Sequence, residues 1–452
     1  LKKVVAIFDV GKTNKKLFLF DEHYRIVFER SARFLETVDE DGDPCESLES
    51  LRQSVFDALH EVARKEGIVI QAVNFTSYGA SFVFLDEIGR PLTPLYNYLK
   101  AYPKALEREL HEKYGGTGRF SLETASPALG SLNAGLQLYR LQREKPEIYR
   151  RMKHAVHLPQ YLSFLLSGRI YADMTSIGCH TALWDFGRKD YHRWVKDTGI
   201  VEKLPPIVNG NEVFPAVFSG STYKVGPGLH DSSSALIPYL MHFHEPFVLI
   251  STGTWCISLN PFNEEGLTKE QLEKDCLFFL TYSGTPVKAS RLFAGHEHEI
   301  QAKRIADHFN VSAERFRKLE IDWPLVDKLT DQKTIPESLD AFAAIDLNGF
   351  ANETEAYHAL MIHLTAAQAA STRLLFSQKA VNRIFVDGGF SKNNIFMNLL
   401  ARAFDGIEVY AASMAQATAI GAALVVHEHW NSLPVPGNIV DLRYYANTPN
   451  SR

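Results

Sequence analysis

Residues 8–16, FDVGKTNKK, gather one acid, one glycine, a threonine, an asparagine and three lysines. That set suits phosphate. Backbone N–H groups and the Thr13 hydroxyl can face phosphoryl oxygens, and Lys15 or Lys16 can add charge. Asp9 stands where a Mg2+ ion could bridge it to the phosphates. Gly11-Lys12-Thr13 also spells the end of a Walker loop, but that loop needs a glycine where Ala6 stands, inside an apolar run, and a helix afterwards. The chain instead continues with Leu17-Phe18-Leu19-Phe20 and then Asp21-Glu22, a short run of strand formers. The local reading is strand, tight turn over 11–14, strand. An ordinary surface hairpin with a solvated lysine pair fits the same letters.

The elements that would hold such a turn recur. Residues 247–259, FVLISTGTWCISL, again run from an apolar strand into a small polar turn with Gly253 and Thr254, then into a second strand. Ser251 takes the place of Asp9, and Gly253 that of Gly11. Two such hairpins half a chain apart suggest related domains facing a shared cleft. Residues 383–404, RIFVDGGFSKNNIFMNLLARAF, read as a strand ending in Asp387-Gly388-Gly389. A helix with Ser391 as N-cap comes next. A Gly-Gly turn lets backbone approach a flat ligand closely, and the helix start adds donors.

Bulk composition bounds the rest. The 452 residues exceed one hydrophobic core, so two large domains or three smaller ones are expected. A net charge of −5, with acids and bases interspersed, argues against a nucleic-acid surface. Cys45, Cys179, Cys256 and Cys276 are scattered without CxxC spacing, which fits a reducing cytoplasm. No secretory signal or membrane-length apolar run is apparent.

The three segments in this order resemble the phosphate-1, phosphate-2 and adenosine motifs of the sugar kinase, heat-shock chaperone and actin superfamily. Within it, the chain resembles the FGGY carbohydrate kinases from its first strand to about residue 428. VGPGLHDSSSAL, residues 225–236, matches the family segment that carries the catalytic aspartate, here Asp231. Residues 157–186 resemble the family's long substrate-domain stretch. The resemblance implies an α/β fold of two duplicated actin-like (ribonuclease H-like) domains, with mixed sheets flanked by helices and a cleft between. The first would cover 1–240 and bind sugar; the second would cover 241–452 and bind ATP. It also implies transfer of the γ-phosphoryl group of ATP to a sugar hydroxyl, with Mg2+.

In that scheme Asp231 accepts the hydroxyl proton and doubles as a helix N-cap. Asp9 and Asp231 hold the metal. Gly11, Thr13, Asn14, Lys16, Gly253 and Thr254 cradle phosphates. Gly295, Gly388, Gly389, Phe390 and Asn393 contact adenosine. Tyr78, Ser81, Asn97, Gln160 and His230 line the sugar pocket. Residues 76–82, TSYGASF, match a pattern that shapes the family's sugar pocket, but Ser81 replaces its sugar-binding aspartate. STGTW at 251–255 resembles the rhamnulokinases, and His230-Asp231 resembles deoxyketohexose kinases too. The expected acceptor is therefore the C1 hydroxyl of a 6-deoxy-ketohexose such as L-rhamnulose or L-fuculose. A xylulose, ribulose or polyol kinase is the alternative, as is a non-catalytic nucleotide-dependent sugar-binding protein. No membrane or nucleic-acid partner is expected, and family members are often dimers.

Two histidine-rich stretches invite metal. In HEHE, residues 296–299, His296 and His298 diverge on a helix, so a structural or nucleotide-side role is expected. HFH, residues 242–244, reads as a solvated linker. The charge-rich region 261–345 is expected to be an exposed excursion of the second domain.

Overall fold

The computed structural model describes residues 1–12, 15–32, 35–331, 338–414 and 416–446. Among them, two seven-stranded mixed sheets form the frame. In the first, β1 (Lys2–Val10) pairs antiparallel with β2 (Lys15–Asp21), which pairs antiparallel with β3 (Ile26–Ala32). On its other side β1 runs parallel to β4 (Ile68–Ser77). Then come β5 (Phe214–Pro215) and β6 (Lys224–Val225), with β6 parallel to β4 and β5 antiparallel at the edge. A short β7 (Leu229–His230) runs beside the end of β4. The centre strand is apolar on both faces, Val4-Val5-Ala6-Ile7-Phe8, because both faces are covered.

The second sheet contains β8 (Phe247–Thr252), β9 (Cys256–Asn260), β10 (Cys276–Leu280), β11 (Pro286–Leu292), β12 (Arg383–Gly388), β13 (Glu408–Ser413) and β14 (Asp441–Tyr445). Its order is β10-β11-β9-β8-β12-β13-β14. From β11 to β14 the pairings are antiparallel, antiparallel, parallel, parallel, antiparallel. The first sheet has the same sequence of pairings from β3 to β5. The duplication expected from two similar hairpins is thus a duplication of whole sheets.

Helices cover each sheet. α1 (Leu48–Ala63) starts at Ser47, whose side chain accepts from the Ser50 N–H, and buries Leu51, Val55, Leu59 and Val62 along one face. Further on lie α2 (Leu158–Ser167) and α3 (Asp231–His242). In the second half, α4 (Ala294–Phe309), α5 (Glu353–Arg373), α6 (Asn394–Ala403) and α7 (Ala417–Leu424) do the same work. Residues 261–345 are not the excursion expected. β10 and β11 extend the sheet, and Ala302, Ile305 and Ala306 of α4 sit in the core below it. The charge-rich letters at 263–275 mark only a short exposed helix, Lys269–Glu273, closed by a Thr268–Gln271 capping box. His242 is the last residue of α3 rather than a solvated linker; its ring contacts the carbonyls of Pro238 (2.8 Å) and Pro436 (3.0 Å). No helix among the described residues is long and apolar enough to cross a membrane.

The halves meet where α3 crosses α7. A Cβ on Gly421 would lie 1.9 Å from the Ser234 carbonyl oxygen, so only glycine allows this approach. Ser234 Oγ donates to the Thr418 carbonyl at 2.7 Å. Buried Asn74 at the middle of β4 donates to the Ala422 carbonyl (2.8 Å) and accepts from Gly228 N–H (3.0 Å). One apolar cluster joins Val5, Ile7 and Ile237 to Ala419, Ile420 and Leu424. We expect Gly421→Ala to lower the unfolding free energy by about 2 kcal/mol through overpacking. An unchanged urea midpoint would show that the crossing tolerates separation.

Candidate active site

Asp9 is the last residue but one of β1 and sits opposite Lys16 of β2 and Thr76 of β4. Its Oδ2 accepts from Thr418 Oγ1 at 2.8 Å, so the second half of the chain reaches across to hold it. Burial pushes the Asp9 carboxyl up to about 6; the Asp231 charge pushes the same way, while Thr418 and Lys16 oppose. Gly11 begins the turn; Thr13 and Asn14 lie outside the described residues. The Lys16 ammonium pairs with Glu29 of β3 at 2.6 Å, so it is engaged across the sheet as well as near Asp9.

Asp231 is the first residue of α3, not its N-cap; that position falls to His230. Asp231 Oδ1 accepts from the Ser232 N–H at 2.6 Å and lies 3.2 Å from His230 Nε2. A carboxylate in the first turn is favoured by the helix dipole. His230 is buried, with its ring 3.1 Å from Cys179 Sγ and its backbone N–H on Thr175 Oγ1 at 2.9 Å. Burial lowers its pKa, so the ring is neutral at physiological pH.

Around this centre the sugar-pocket candidates divide. Tyr78 is buried, with its ring 5.7 Å from that of Tyr98. Ser81 is buried too, and its hydroxyl interacts with that of Tyr78, which also meets the Glu46 carboxylate. Gln160 is fully buried, and its amide N–H groups go to Asp173 Oδ1 (3.0 Å) and to the Pro227 (3.3 Å) and Gly228 (2.9 Å) carbonyls, which fixes the chain ahead of Asp231. Its Oε1 is buried with no protein partner among the described residues. Asn97 uses its Oδ1 on Leu99 N–H at 3.0 Å and borders a crevice with Tyr96, Lys100 and Arg140 that includes none of Tyr78, Ser81 or His230.

The second hairpin turns at Gly253 and Thr254, both exposed. The Gly253 N–H is taken by the Trp255 carbonyl at 2.9 Å, so it is not a free phosphate donor. Gly388 and Gly295 serve chain packing. A Cβ on Gly388 would lie 1.9 Å from the Thr252 carbonyl oxygen, and one on Gly295 would lie 1.8 Å from that of Gly253. Gly389 alone of these has open space before it. Phe390 is buried and stacked on Phe396, with ring centroids 4.6 Å apart. Asn393, not Ser391, caps α6. It accepts from Phe396 N–H at 2.9 Å and donates to Tyr357 Oη at 2.9 Å. The side chains of Phe390 and Asn393 therefore build the wall, and any ligand contact there falls to backbone and to Gly389.

HEHE lies on α4. His298 bonds Tyr357 Oη at 2.9 Å and burial lowers its pKa to about 4, while His296 stacks on Phe293. Among the described residues, Glu123, Asp185 and His192 are the one cluster with metal-ligand spacing. His192 Nδ1 accepts from Trp194 N–H, so the ring proton sits on Nε2 and is donated to Glu123 at 2.8 Å. That leaves no lone pair for an ion.

Four participants carry no signal in the sequence that marks them. Thr418 is one. The others are Lys12, buried Glu46 and Tyr98: Lys12 Nζ lies 3.1 Å from Glu46 Oε1 and 5.5 Å from the Tyr78 and Tyr98 ring centroids. Lys12 stands inside FDVGKTNKK, where its Walker spelling disguises it; Glu46 and Thr418 arrive from distant segments with no local signature.

The N-terminal domain model of the FGGY family of carbohydrate kinases matches residues 4–237, and the carbohydrate kinase FGGY C-terminal domain model matches 244–433. The chain belongs to the FGGY family. Among curated relatives, a protein named rhamnulokinase from Halalkalibacterium halodurans is 26% identical over 262 residues, covering 55% of this chain and 52% of the relative. One of the same name from Klebsiella pneumoniae is 25% identical, covering 49% and 46%. The chain thus spans about half the length of the curated relatives it matches. Its fold is similar to a carbohydrate kinase from Novosphingobium aromaticivorans (TM-score 0.79, 22% identity, 98% and 96% coverage). It is similar also to a xylulose kinase from Lactobacillus acidophilus (TM-score 0.82, 16% identity, 99% and 94% coverage). At such identity these likenesses establish the fold alone.

The raised Asp9 pKa has a consequence for the metal-free protein. A carboxyl at about 6 in the folded state and 3.8 otherwise makes folding less favourable as pH rises through that window. Asp9→Asn should therefore stabilise the metal-free protein by about 2 kcal/mol at neutral pH, allowing for partial exposure, with no gain below pH of about 4. Urea unfolding at several pH values checks this; a destabilised variant at neutral pH contradicts it.

Proposed function

We propose that this FGGY-family protein transfers the γ-phosphoryl group of ATP to a ketose hydroxyl. The observation that carries the reading is the meeting of Asp231 at the start of α3 with Asp9 under the first hairpin, close enough for one charge to raise the other's pKa. Asp231 accepts the proton of the attacking hydroxyl, and neutral His230, 3.2 Å away, orients its carboxylate. The two turns, with Gly11, Thr13, Asn14 and Lys16 on one side and Thr254 on the other, hold the phosphates. Gly389 borders the adenosine side.

Two part-buried carboxylates, one of them raised chiefly by burial, form a hard-oxygen donor set, which fits Mg2+. Asp9 and Asp231 would hold it, largely through water, and bound Mg2+ would neutralise charge on the phosphates. We take 1–240 as the sugar-side domain and 241–452 as the nucleotide-side domain. Closure about the α3–α7 crossing excludes water from the transfer. A cytoplasmic setting agrees with four free, buried cysteines.

For the acceptor we favour the C1 hydroxyl of a 6-deoxy-ketohexose such as L-rhamnulose or L-fuculose, on the likeness to proteins named rhamnulokinase. A serine at 81, where the family pattern carries an aspartate, suits a neutral sugar hydroxyl. The fold likeness to proteins named xylulose kinase keeps that ketose as the second reading.

A coupled ADP-release assay across ketoses and polyols tests this. Turnover is expected with L-rhamnulose or L-fuculose; turnover confined to xylulose selects the second reading, and ADP release without phosphorylated sugar overturns transfer. Asp231→Asn should fold, bind ADP and lose transfer by about a thousandfold or more. Near-normal turnover in that variant removes Asp231 as the base.

A further inference from the structure

Lys12 has the spelling of a Walker lysine without the loop, and its place in the fold gives it another task. Its backbone comes directly after Gly11 in the turn on the donor-phosphate side. Its side chain lies 5.5 Å from the ring centroids of both Tyr78, a sugar-pocket candidate, and Tyr98. Glu46 anchors it there at 3.1 Å. Glu46 is shared, because Lys15 Nζ also lies 3.1 Å from its other oxygen. Lys15 and Glu46 are both buried, at 7% side-chain exposure each, whereas Lys12 is 32% exposed. A plain structural ion pair would be complete with Lys15 alone. The second lysine adds a cation on the open side, and one carboxylate between two ammoniums leaves Lys12 incompletely neutralised. The Tyr98 hydroxyl feels the charges of both Asp231 and Glu46, so the base and the Lys12 anchor border the same tyrosine.

We propose that Lys12 is a catalytic residue whose ammonium leaves Glu46 to hold the transferring phosphoryl group at the junction of donor turn and acceptor pocket. The inference rests on the phosphotransfer reading. In the step, a lone pair of the acceptor oxygen forms a bond to the γ-phosphorus. The bond from that phosphorus to the bridging oxygen breaks, its electrons remain on the β-phosphate of ADP, and the hydroxyl proton passes to Asp231. Negative charge on the peripheral oxygens moves from donor toward acceptor throughout, and a compact ammonium on a flexible stem can track it.

Lys12→Met and Lys12→Arg test the proposal by steady-state kinetics with the best ketose and by calorimetry with Mg·ADP and with Mg·AMP-PNP, a nucleoside triphosphate analogue. Lys12→Met should lower kcat by about a hundredfold or more, on the scale of losing one donor aimed at charge that develops in the transition state. The Kd for ADP and the KM for ketose should stay within about threefold, and AMP-PNP binding should weaken by about tenfold relative to ADP. Lys12→Arg should recover most of kcat. An unchanged kcat, or a raised ketose KM at normal kcat, overturns the assignment. So does an equal loss of ADP and AMP-PNP binding, which would mean a structural role. If the wild type phosphorylates no sugar, the phosphotransfer reading fails by itself. The AMP-PNP against ADP comparison still decides whether Lys12 meets a γ-phosphate: a selective loss supports contact, and no selective loss overturns it.

Discussion

Burial of the Asp9 carboxyl at the top of the central strand is the constraint around which the site is arranged. Desolvation raises that carboxyl to about 6, and the charge of Asp231 across the cleft adds to it, so the two acids form one polar pair in a place that disfavours charge. Local sequence alone does not produce such a pair. Asp9 is fixed by a central strand whose apolar neighbours lock it into the sheet, and Asp231 by the first turn of a helix entered through β7. Thr418 contributes a hydrogen bond from the opposite half. Each support lowers the cost of the pair without removing it, which leaves a site suited to a cation and to the charged substrates it accompanies.

The duplicated sheets explain the division of labour. Both halves offer a hairpin beside a parallel strand, but Asp9 in the first corresponds to Ser251 in the second. The second half keeps its acid one strand over. Asp387 lies across from Ser251, accepts from Tyr239 Oη at 3.2 Å and is likewise raised by burial. One architecture therefore yields a buried acid near the end of the central strand in one copy and a glycine-bearing turn held by Thr252 in the other. Thr252 Oγ1 donates to the Asp387 carbonyl at 2.5 Å and accepts from Phe390 N–H at 3.0 Å.

Much of this is legible in the letters. The failed Walker spacing, the repeated strand-turn-strand and the helix after His230-Asp231 lead to the fold and to the central carboxylates. Sequence and structure part where a motif residue serves its own chain. Phe390 and Asn393 have side chains spent on a core stack and a helix cap, and Gly388 and Gly295 are small because a neighbouring carbonyl sits where Cβ would be. A motif identifies the position but not which atoms remain free. The region 261–345 misleads because charged letters at its start mask two buried strands behind them. Lys12 and Glu46 meet across 34 positions, and no local periodicity reports such a pair.

The most direct test is calorimetric proton counting when Mg·ADP binds at pH 6, measured in two buffers of different ionisation enthalpy. A carboxyl poised at about 6 that becomes a metal-facing carboxylate should release about half a proton per nucleotide bound, and Asp9→Asn should release correspondingly less. Equal proton release by the wild type and Asp9→Asn, with equal affinity for Mg·ADP, would contradict the placement of the cation and nucleotide at the Asp9–Asp231 pair.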